Sequence, residues 1–203
     1  MKRLIRKLSA EGCLRSPRVI EAMRQVDRKD FVPVHLRDQA YESRPLPIGA
    51  GQTISQPEVV CFMLELLGAG PGDRVLDVGS GSGWQTALLA HIVGPKGEVT
   101  AVERIPELYE LGQRNCTAYG FQNIRFHLGD ATKLEAPDGY FDRIIAGASS
   151  PREVPPAFKR MLRAGGIMVV PAHESIFVLK KLSADTFSTR EYPGFLFVPL
   201  IED

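Results

Sequence analysis

The sequence predicts an α/β fold in which helices cover both faces of an open, mostly parallel, doubly wound sheet. Two observations lead to this class. Short apolar segments alternate with helical patterns between residues 74 and 170, which is typical of successive βα units. The connections between them are short, so neighbouring strands are expected to run parallel with the helices packed on both faces. A helical extension precedes this core.

Length and composition are those of one domain. The 203 residues divide into a helical extension with a loop (1–57) and a core with C-terminal strands (58–203). Lys plus Arg number 25 against 24 Asp plus Glu, so no nucleic-acid or membrane partner is expected. The three cysteines and four histidines are scattered, which indicates thiols in a reducing cytoplasm and no metal site.

Helical patterns and a turn-rich stretch make up the extension and the segment that follows it. Apolar residues at helical spacing predict helices over 2–11 and 17–26. A stretch rich in Pro and Gly follows at 44–56, and Pro57 opens a further helix over 57–67.

The core alternates regularly between the two element types. Two more strands follow the fifth one, and their order in the sheet stays open. The predicted strands are 74–78, 98–102, 124–128, 143–146, 167–170, 176–182 and 195–200, and the predicted helices are 85–93, 106–119 and 155–163.

The first core strand ends in a loop in which every second residue is glycine. The order is Asp-x-Gly-x-Gly-x-Gly, with Asp77, Gly79, Gly81 and Gly83 at the fixed positions. Missing side chains let the backbone bend sharply and approach a ligand, although such loops also serve as tight connections only. The spacing resembles motif I of the Rossmann-like methyltransferases that use S-adenosylmethionine (SAM), which implies that fold and that cofactor.

Two acidic residues follow the next two strands. Glu103 ends the second strand, 20 positions beyond Gly83, where a carboxylate can accept hydrogen bonds from both hydroxyls of a ribose. Alternatively, Glu103 caps the helix that begins near Pro106. Asp130 follows the third strand, where methyltransferases of this class place the carboxylate that meets the adenine amino group; the alternative is a turn residue.

The loop before the core also carries candidate functional residues. Residues 45–57 are polar and rich in turn formers, which favours a lid or substrate clamp next to the glycine loop. Thr53 and Ser55 have a structural alternative as N-cap residues of the helix after Pro57.

This loop reads Pro-Leu-Pro-Ile-Gly-x-Gly-Gln-Thr-Ile-Ser-Gln-Pro, which resembles the signature of the protein-L-isoaspartate O-methyltransferases. The match continues through the glycine loop, residues 103–108 and the C-terminal Phe-Val-Pro-Leu at 197–200. Segments 147–151 and 172–178 depart from the family pattern. The resemblance covers nearly the whole chain.

The resemblance implies an enzyme that uses SAM to methylate the carboxylate of L-isoaspartyl residues in damaged proteins and peptides, here expected to act as a cytoplasmic monomer. It makes Ser55 the active-site serine and assigns Val198, Pro199 and Leu200 to the peptide groove. The expected cofactor-binding residues are Thr53, Ile54, Asp77, Gly79, Gly81, Gly83, Glu103 and Asp130.

The chemistry agrees with these residue types. A carboxylate with an ordinary pKa near 4 is ionised at neutral pH, so no general base is required, and Ser55 is expected to orient the carboxylate by hydrogen bonding. Two other functions stay open: a related SAM-dependent methyltransferase that acts on another carboxylate, a small molecule or an RNA, and a SAM-binding module without catalysis.

Overall fold

A computed structural model describes residues 1–151 and 153–201. Within these residues a central sheet of seven strands has the order β5-β4-β3-β6-β7-β8-β9, and a separate two-stranded hairpin is formed by β1 and β2. The strands are β1 Leu46–Gly49, β2 Gln52–Ile54, β3 Arg74–Val78, β4 Glu98–Glu103, β5 Ile124–Leu128, β6 Phe141–Ala146, β7 Leu162–Ala172, β8 Ser175–Lys181 and β9 Phe187–Pro193.

Helices flank this sheet, and short 3₁₀ turns occur at 28–31, 34–39 and 131–133. Several helices begin with proline in their first turn, where the missing N–H leaves no helical hydrogen bond unmade. The α-helices of the described part of the chain are α1 Lys2–Ala10, α2 Pro17–Gln25, α3 Pro57–Leu67, α4 Trp84–Val93, α5 Pro106–Ala118 and α6 Pro156–Met161.

The five strands from β5 to β7 run parallel, and β8 and β9 are antiparallel. In the register of the sheet, Asp77 of β3 lies between Ala101 of β4 and Ile145 of β6. The inner strands are buried on both faces, which explains why they read as continuous apolar runs. Parallel pairing places the carboxyl ends of β3, β4, β5 and β6 at one edge, where ligands bind in open α/β sheets.

The helical extension packs onto α4 and α3. Glu65 of α3 accepts hydrogen bonds from the backbone N–H groups of Arg15 (2.8 Å) and Ser16 (2.7 Å). The N-terminus of α2 therefore receives its cap from another helix, since no side chain of its own caps it.

The structure confirms the predicted elements from residue 2 to residue 182. The largest difference is at β7, which begins at Leu162, inside the predicted helix 155–163 and five residues before the predicted strand. The prediction of a strand at 195–200 is wrong. The last strand is β9, whose side chains are mostly exposed because it lies at the sheet edge, so its sequence lacks an apolar alternation. Residues 195–200 are apolar for another reason: they cross the end of the sheet, where Ser149 N–H donates to the Val198 carbonyl (2.8 Å).

The order of the final strands is now defined, with β8 beside β7 and β9 at the edge. The predicted loop at 45–57 contains the β1–β2 hairpin. The turn of this hairpin, at Ala50 and Gly51, has positive φ angles of 50° and 70°. Among the described residues no helix has the length and apolar character required to cross a bilayer.

Candidate active site

Four strand ends meet around one cavity, here called the inner cavity. The cavity encloses about 670 Å³, including its open mouth. Its wall is formed by the glycine loop after β3, the end of β4, and the residues that follow β5 and β6. Its lining residues include Gly79, Gly81, Glu103, Gly129, Asp130, Gly147 and Ala148.

Glu103 is a buried carboxylate in this wall, with 6% of its surface exposed. Its Oε2 accepts a hydrogen bond from Gly81 N–H (2.9 Å), and its Oε1 accepts one from Ile105 N–H (3.0 Å). The helix-end interpretation is supported, because Ile105 is the N-cap position of α5, and the ribose interpretation stays a prediction. Each carboxylate oxygen has two lone pairs, so the carboxylate keeps acceptor capacity toward the cavity.

The glycine loop leaves space that side chains would fill. Gly81 has a φ of +54°, and a Cβ on it would lie 3.3 Å from Cδ1 of Ile48. Gly79 has a φ of +73° and lines the same cavity. A Cβ on Gly147 would lie 3.0 Å from the Gly79 carbonyl oxygen. The backbone is thus exposed to whatever occupies the inner cavity.

Gly83 serves a different purpose from Gly79 and Gly81. A Cβ on Gly83 would lie 2.9 Å from both Cys116 Sγ and the Gly112 carbonyl oxygen. Its missing side chain permits the close approach of α4 and α5, and Gly83 lies outside the cavity lining.

Asp77 is fully buried beneath the glycine loop and also lies outside the lining. Its carboxylate accepts hydrogen bonds from Gln85 Nε2 (2.8 Å) and Thr86 Oγ1 (2.6 Å), which attaches the first turn of α4 to β3. Burial raises the pKa of Asp77 to about 6; these hydrogen bonds oppose the shift, and the charge of Glu103 adds to it. Its position indicates support of the loop.

Asp130 lines the inner cavity and also starts a turn. Its Oδ1 accepts hydrogen bonds from the backbone N–H and the hydroxyl of Thr132, both at 2.8 Å. The turn interpretation is therefore correct for the local structure, and the same carboxylate faces the cavity wall. Ala131, next in the chain, is buried in the lining.

A second cavity of about 1080 Å³, here called the outer cavity, adjoins the first. It lies between the hairpin segment and the C-terminal crossing segment, and it shares Thr53, Gly147 and Val198 with the inner cavity. Its lining residues are Pro45, Thr53, Ser55, Gln56, Val59, Gly147, Gly194, Phe195, Leu196, Phe197 and Val198.

Ser55 lines the outer cavity and not the inner one. The N-cap alternative for Ser55 and Thr53 is wrong, because Gln56 occupies the N-cap position of α3 and no side chain caps that helix. Ile54 is buried in the apolar core and lines neither cavity. Of the expected groove residues, Val198 lines both cavities, whereas Pro199 and Leu200 line the inner one.

Several lining residues escaped the sequence analysis. Ile48 and Gln52 of the hairpin, and Ala148 after β6, line the inner cavity. The rule that ligands bind beyond the carboxyl ends of parallel strands would have found Ala148. Apolar Leu108, on α5, gives no comparable signal. Among residues 1–151 and 153–201 no three His, Cys, Asp or Glu residues are grouped to hold a metal ion.

Comparison with known proteins identifies the family. The family model of protein-L-isoaspartate(D-aspartate) O-methyltransferase matches residues 1–203. A protein-L-isoaspartate O-methyltransferase of Ignicoccus hospitalis is 44% identical over 100% of this chain and 97% of its own length. The corresponding protein of Methanopyrus kandleri is 42% identical over 98% and 90%.

The chain belongs to the protein-L-isoaspartate(D-aspartate) O-methyltransferase family. A crystal structure of a Plasmodium falciparum protein assigned to the same family, in complex with S-adenosyl-L-homocysteine, is 25% identical, with a TM-score of 0.87 over 100% of this chain and 98% of its own. Another structure titled protein-L-isoaspartate O-methyltransferase is 26% identical, with a TM-score of 0.86 over 98% and 65%. The predicted family and Rossmann-like methyltransferase fold are confirmed.

The two segments that depart from the pattern of the isoaspartate methyltransferases contact the same part of the structure. Ser149 of the first segment exchanges backbone hydrogen bonds with Val198 (2.8 Å) and Leu200 (2.7 Å). The carbonyl of Glu174, in the turn between β7 and β8, accepts from the N–H groups of Gly194 and Phe195, both at 2.9 Å. Both departures therefore position the C-terminal wall of the outer cavity.

Proposed function

We propose that this chain transfers the methyl group of SAM to the carboxylate of L-isoaspartyl residues in damaged proteins and peptides. One observation carries the proposal. The glycine loop and Glu103 line the inner cavity, and Ser55 lines the outer cavity. The two cavities meet at Thr53, Gly147 and Val198. A donor and an acceptor bound in these cavities would face each other at that junction.

The residues of the inner cavity fit SAM. Glu103 offers carboxylate acceptors for two ribose hydroxyls, and Asp130 offers one for an amino group. Gly79 and Gly81 present backbone to the cavity at positive φ angles, and a Cβ on Gly81 would crowd Ile48. When bound, SAM supplies a methyl group activated by attachment to a sulfonium.

The outer cavity suits an ionised carboxylate that needs no deprotonation. Among the described residues its lining contains no charged side chain, so no competing cation draws the carboxylate away from the junction. Ser55 can donate a hydrogen bond that fixes the position of one carboxylate oxygen. Apolar neighbours such as Phe195 and Phe197 exclude water from a reaction in which a cation and an anion neutralise each other.

Discrimination would come from position. An isoaspartyl link places an extra carbon in the backbone and leaves a shorter branch to the carboxylate. A groove defined by the backbone of Val198 and by Ser55 would misplace the aspartyl carboxylate by about an ångström, which is enough for roughly a hundredfold loss of rate.

The test uses paired synthetic peptides that differ only in one isoaspartyl or aspartyl link. With the purified chain and SAM, we expect methyl transfer to the isoaspartyl peptide at least about a hundredfold faster than to its twin. Formation of S-adenosylhomocysteine is measured, with SAM binding by calorimetry as the control. Equal rates on the two peptides, or SAM binding without transfer to either, would indicate a related methyltransferase that acts on another substrate.

We also propose that the chain acts as a single-domain monomer in the cytoplasm, without a nucleic-acid or membrane partner. Cys13, Cys61 and Cys116 are free thiols, as in reducing compartments, and the net charge is +1. Light scattering after size exclusion tests the monomer; a dimer mass would contradict it.

A further inference from the structure

Arg28 is a fully buried cation that is held by backbone carbonyl groups. It lies in the 3₁₀ turn after α2 and has no exposed surface. Its Nη1 donates to the carbonyl of Ala40, and its Nη2 donates to those of Arg44 (3.3 Å) and Ser55 (3.0 Å). A fourth carbonyl, of Ile54, lies 3.5 Å from Nη2.

In the described part of the chain this arrangement includes no paired carboxylate. Glu58 acts on the guanidinium through space. Its Oε1 accepts hydrogen bonds from Lys7 Nζ (3.0 Å) and Ser43 Oγ (2.6 Å), and its Oε2 is buried without a hydrogen-bond partner among the described residues. Burial lowers the pKa of Arg28 to about 10, so the group stays charged at neutral pH. Its Nε has no hydrogen-bond partner among the described residues.

Burial of a cation without an anionic partner is unfavourable, so the guanidinium needs its carbonyl acceptors. These acceptors lie at both ends of the segment 40–55, which contains the β1–β2 hairpin. The guanidinium carbon also lies 5.6 Å from the ring centroid of Trp84. Trp84 is the first residue of α4, directly after the glycine loop. Arg28 therefore contacts both the Ser55 segment and the helix that follows the cofactor loop.

We propose that Arg28 is a positioning residue that acts through Ser55. By binding the Ser55 carbonyl and the start of the same segment, it fixes where the Ser55 hydroxyl lies in the outer cavity. The inference rests on the proposed function, because it assigns Ser55 the carboxylate of the substrate. Arg28 lines neither cavity, so it contacts no reacting atom.

Lys181 provides a matched control. It is also a buried cation, with 7% exposure, and its Nζ donates to the carbonyls of Lys159 (2.7 Å) and Leu162 (2.8 Å). These acceptors lie at the end of α6 and the start of β7, at the opposite end of the parallel strands from both cavities. Removal of Lys181 therefore removes carbonyl hydrogen bonds of the same kind without contact with the Ser55 segment.

The first test is a double-mutant cycle on activity. Arg28→Lys keeps the charge but presents a point donor instead of a planar fork, and we expect about a tenfold lower kcat/KM for the isoaspartyl peptide with SAM affinity within about twofold. In a Ser55→Ala background the same change should lower kcat/KM by less than about twofold. Both substitutions act on the same hydrogen bond, from the Ser55 hydroxyl to the substrate carboxylate. Equal losses in both backgrounds would overturn the inference, as would a tenfold loss in Lys181→Met.

The second test does not depend on activity. Hydrogen exchange of Arg28→Lys should become faster for amides within 41–55 and stay unchanged in β8 and β9, and Lys181→Met should give the reverse pattern. Unchanged exchange in 41–55 of Arg28→Lys overturns the inference. If the parent chain has no isoaspartyl activity, the proposed function and the role of Ser55 are contradicted. Faster exchange within 41–55 in Arg28→Lys would still show that Arg28 holds this segment in place.

Discussion

The two cavities differ in how their walls are built. The inner cavity is formed largely at the carboxyl ends of adjacent parallel strands, where Glu103 ends β4 and Gly79, Asp130 and Gly147 follow β3, β5 and β6. The outer cavity lies between the hairpin segment and the C-terminal crossing segment. Strand register therefore determines the wall of the inner cavity, and contacts between segments distant in sequence determine the wall of the outer cavity.

The outer wall depends on long-range contacts of several kinds. Arg28 holds the hairpin end through the Ser55 carbonyl, and Ser149 and Glu174 hold the crossing segment through backbone hydrogen bonds. The ring of Phe62 on α3 stacks on Phe195 with centroids 5.6 Å apart. A site built this way can change its acceptor specificity while the cofactor side stays the same.

The largest expected effect is on the inner cavity. Glu103→Ala removes the proposed acceptors for the ribose hydroxyls and leaves the N–H groups of Gly81 and Ile105 without their partner. Each hydrogen bond to a charged group is worth about 1.5–3 kcal/mol, so the SAM affinity should fall at least about a hundredfold. Calorimetry measures this.

Glu98→Gln is the matched control for that variant. Glu98 lies at the other end of β4 and pairs with Arg125 at 2.7 Å, away from the cavity. It should bind SAM as the parent does. Equal SAM affinity of parent and Glu103→Ala would contradict the role of Glu103 and remove the distinction between the cavities.

The sequence predicts the inner side better than the outer side, and the reason is physical. A strand, a glycine loop and an acid at the next strand end are local patterns whose neighbours follow from parallel pairing. Asp77 and Gly83 belong to the same pattern, but whether they touch the ligand or support the loop depends on burial that spacing does not encode. The family resemblance, more than local pattern, pointed to Ser55.

The same limit explains the wrong strand at the C-terminus. An apolar run such as 195–200 fits a buried strand equally well as a segment that crosses the sheet end. The polar edge strand β9 is specified by pairing with β8, and its own side chains carry little signal. Arg28 was not singled out, because nothing in its sequence neighbourhood shows that carbonyl groups from residues 40–55 surround it.

The second prediction concerns the support of the inner cavity. The folded-state pKa of Asp77 is raised to about 6 from an ordinary 3.8, so the folded chain binds this proton more tightly than the unfolded chain. The contribution of Asp77 to the free energy of unfolding therefore falls as the pH rises from about 4 to 6, by on the order of 2–3 kcal/mol. Asp77→Asn should lack this fall, and denaturant unfolding at several pH values measures the difference from the parent.

The difference in the free energy of unfolding between Asp142→Asn and the parent should have the opposite pH dependence to that of Asp77→Asn. Burial opposes ionisation of Asp142, but hydrogen bonds from Arg74 N–H and Arg163 hold its pKa below the ordinary value. Its carboxylate thus stabilises the fold above the unfolded pKa, and this stability is lost as the pH falls through the lower folded pKa. Parallel pH profiles for both variants would contradict the buried-carboxylate role of Asp77.

The third prediction tests the outer cavity through Ser55→Ala. Loss of one hydrogen bond to a charged carboxylate should lower kcat by about ten- to a hundredfold. SAM affinity and melting temperature should stay close to the parent, because Ser55 does not cap α3. Ser43→Ala, which loses a hydrogen bond to Glu58 of α3, is the control for turnover. A lowered melting temperature with normal turnover per folded molecule would contradict the assignment.

The smallest expected effect is at the mouth of the outer cavity. Leu196 is 81% exposed although it lines this cavity, so it adds little to folding, and Leu196→Ser should change stability by less than about 0.5 kcal/mol. A bound peptide that covers part of this side chain would gain about 1 kcal/mol from it, so KM for the isoaspartyl peptide should rise roughly fivefold with kcat and SAM affinity unchanged. Leu182→Ser, at a leucine that is 55% exposed and lines neither cavity, should leave KM unchanged. Equal KM values for both variants and the parent would show that the peptide does not reach the crossing segment, and recognition would then rest on the hairpin side of the cavity alone.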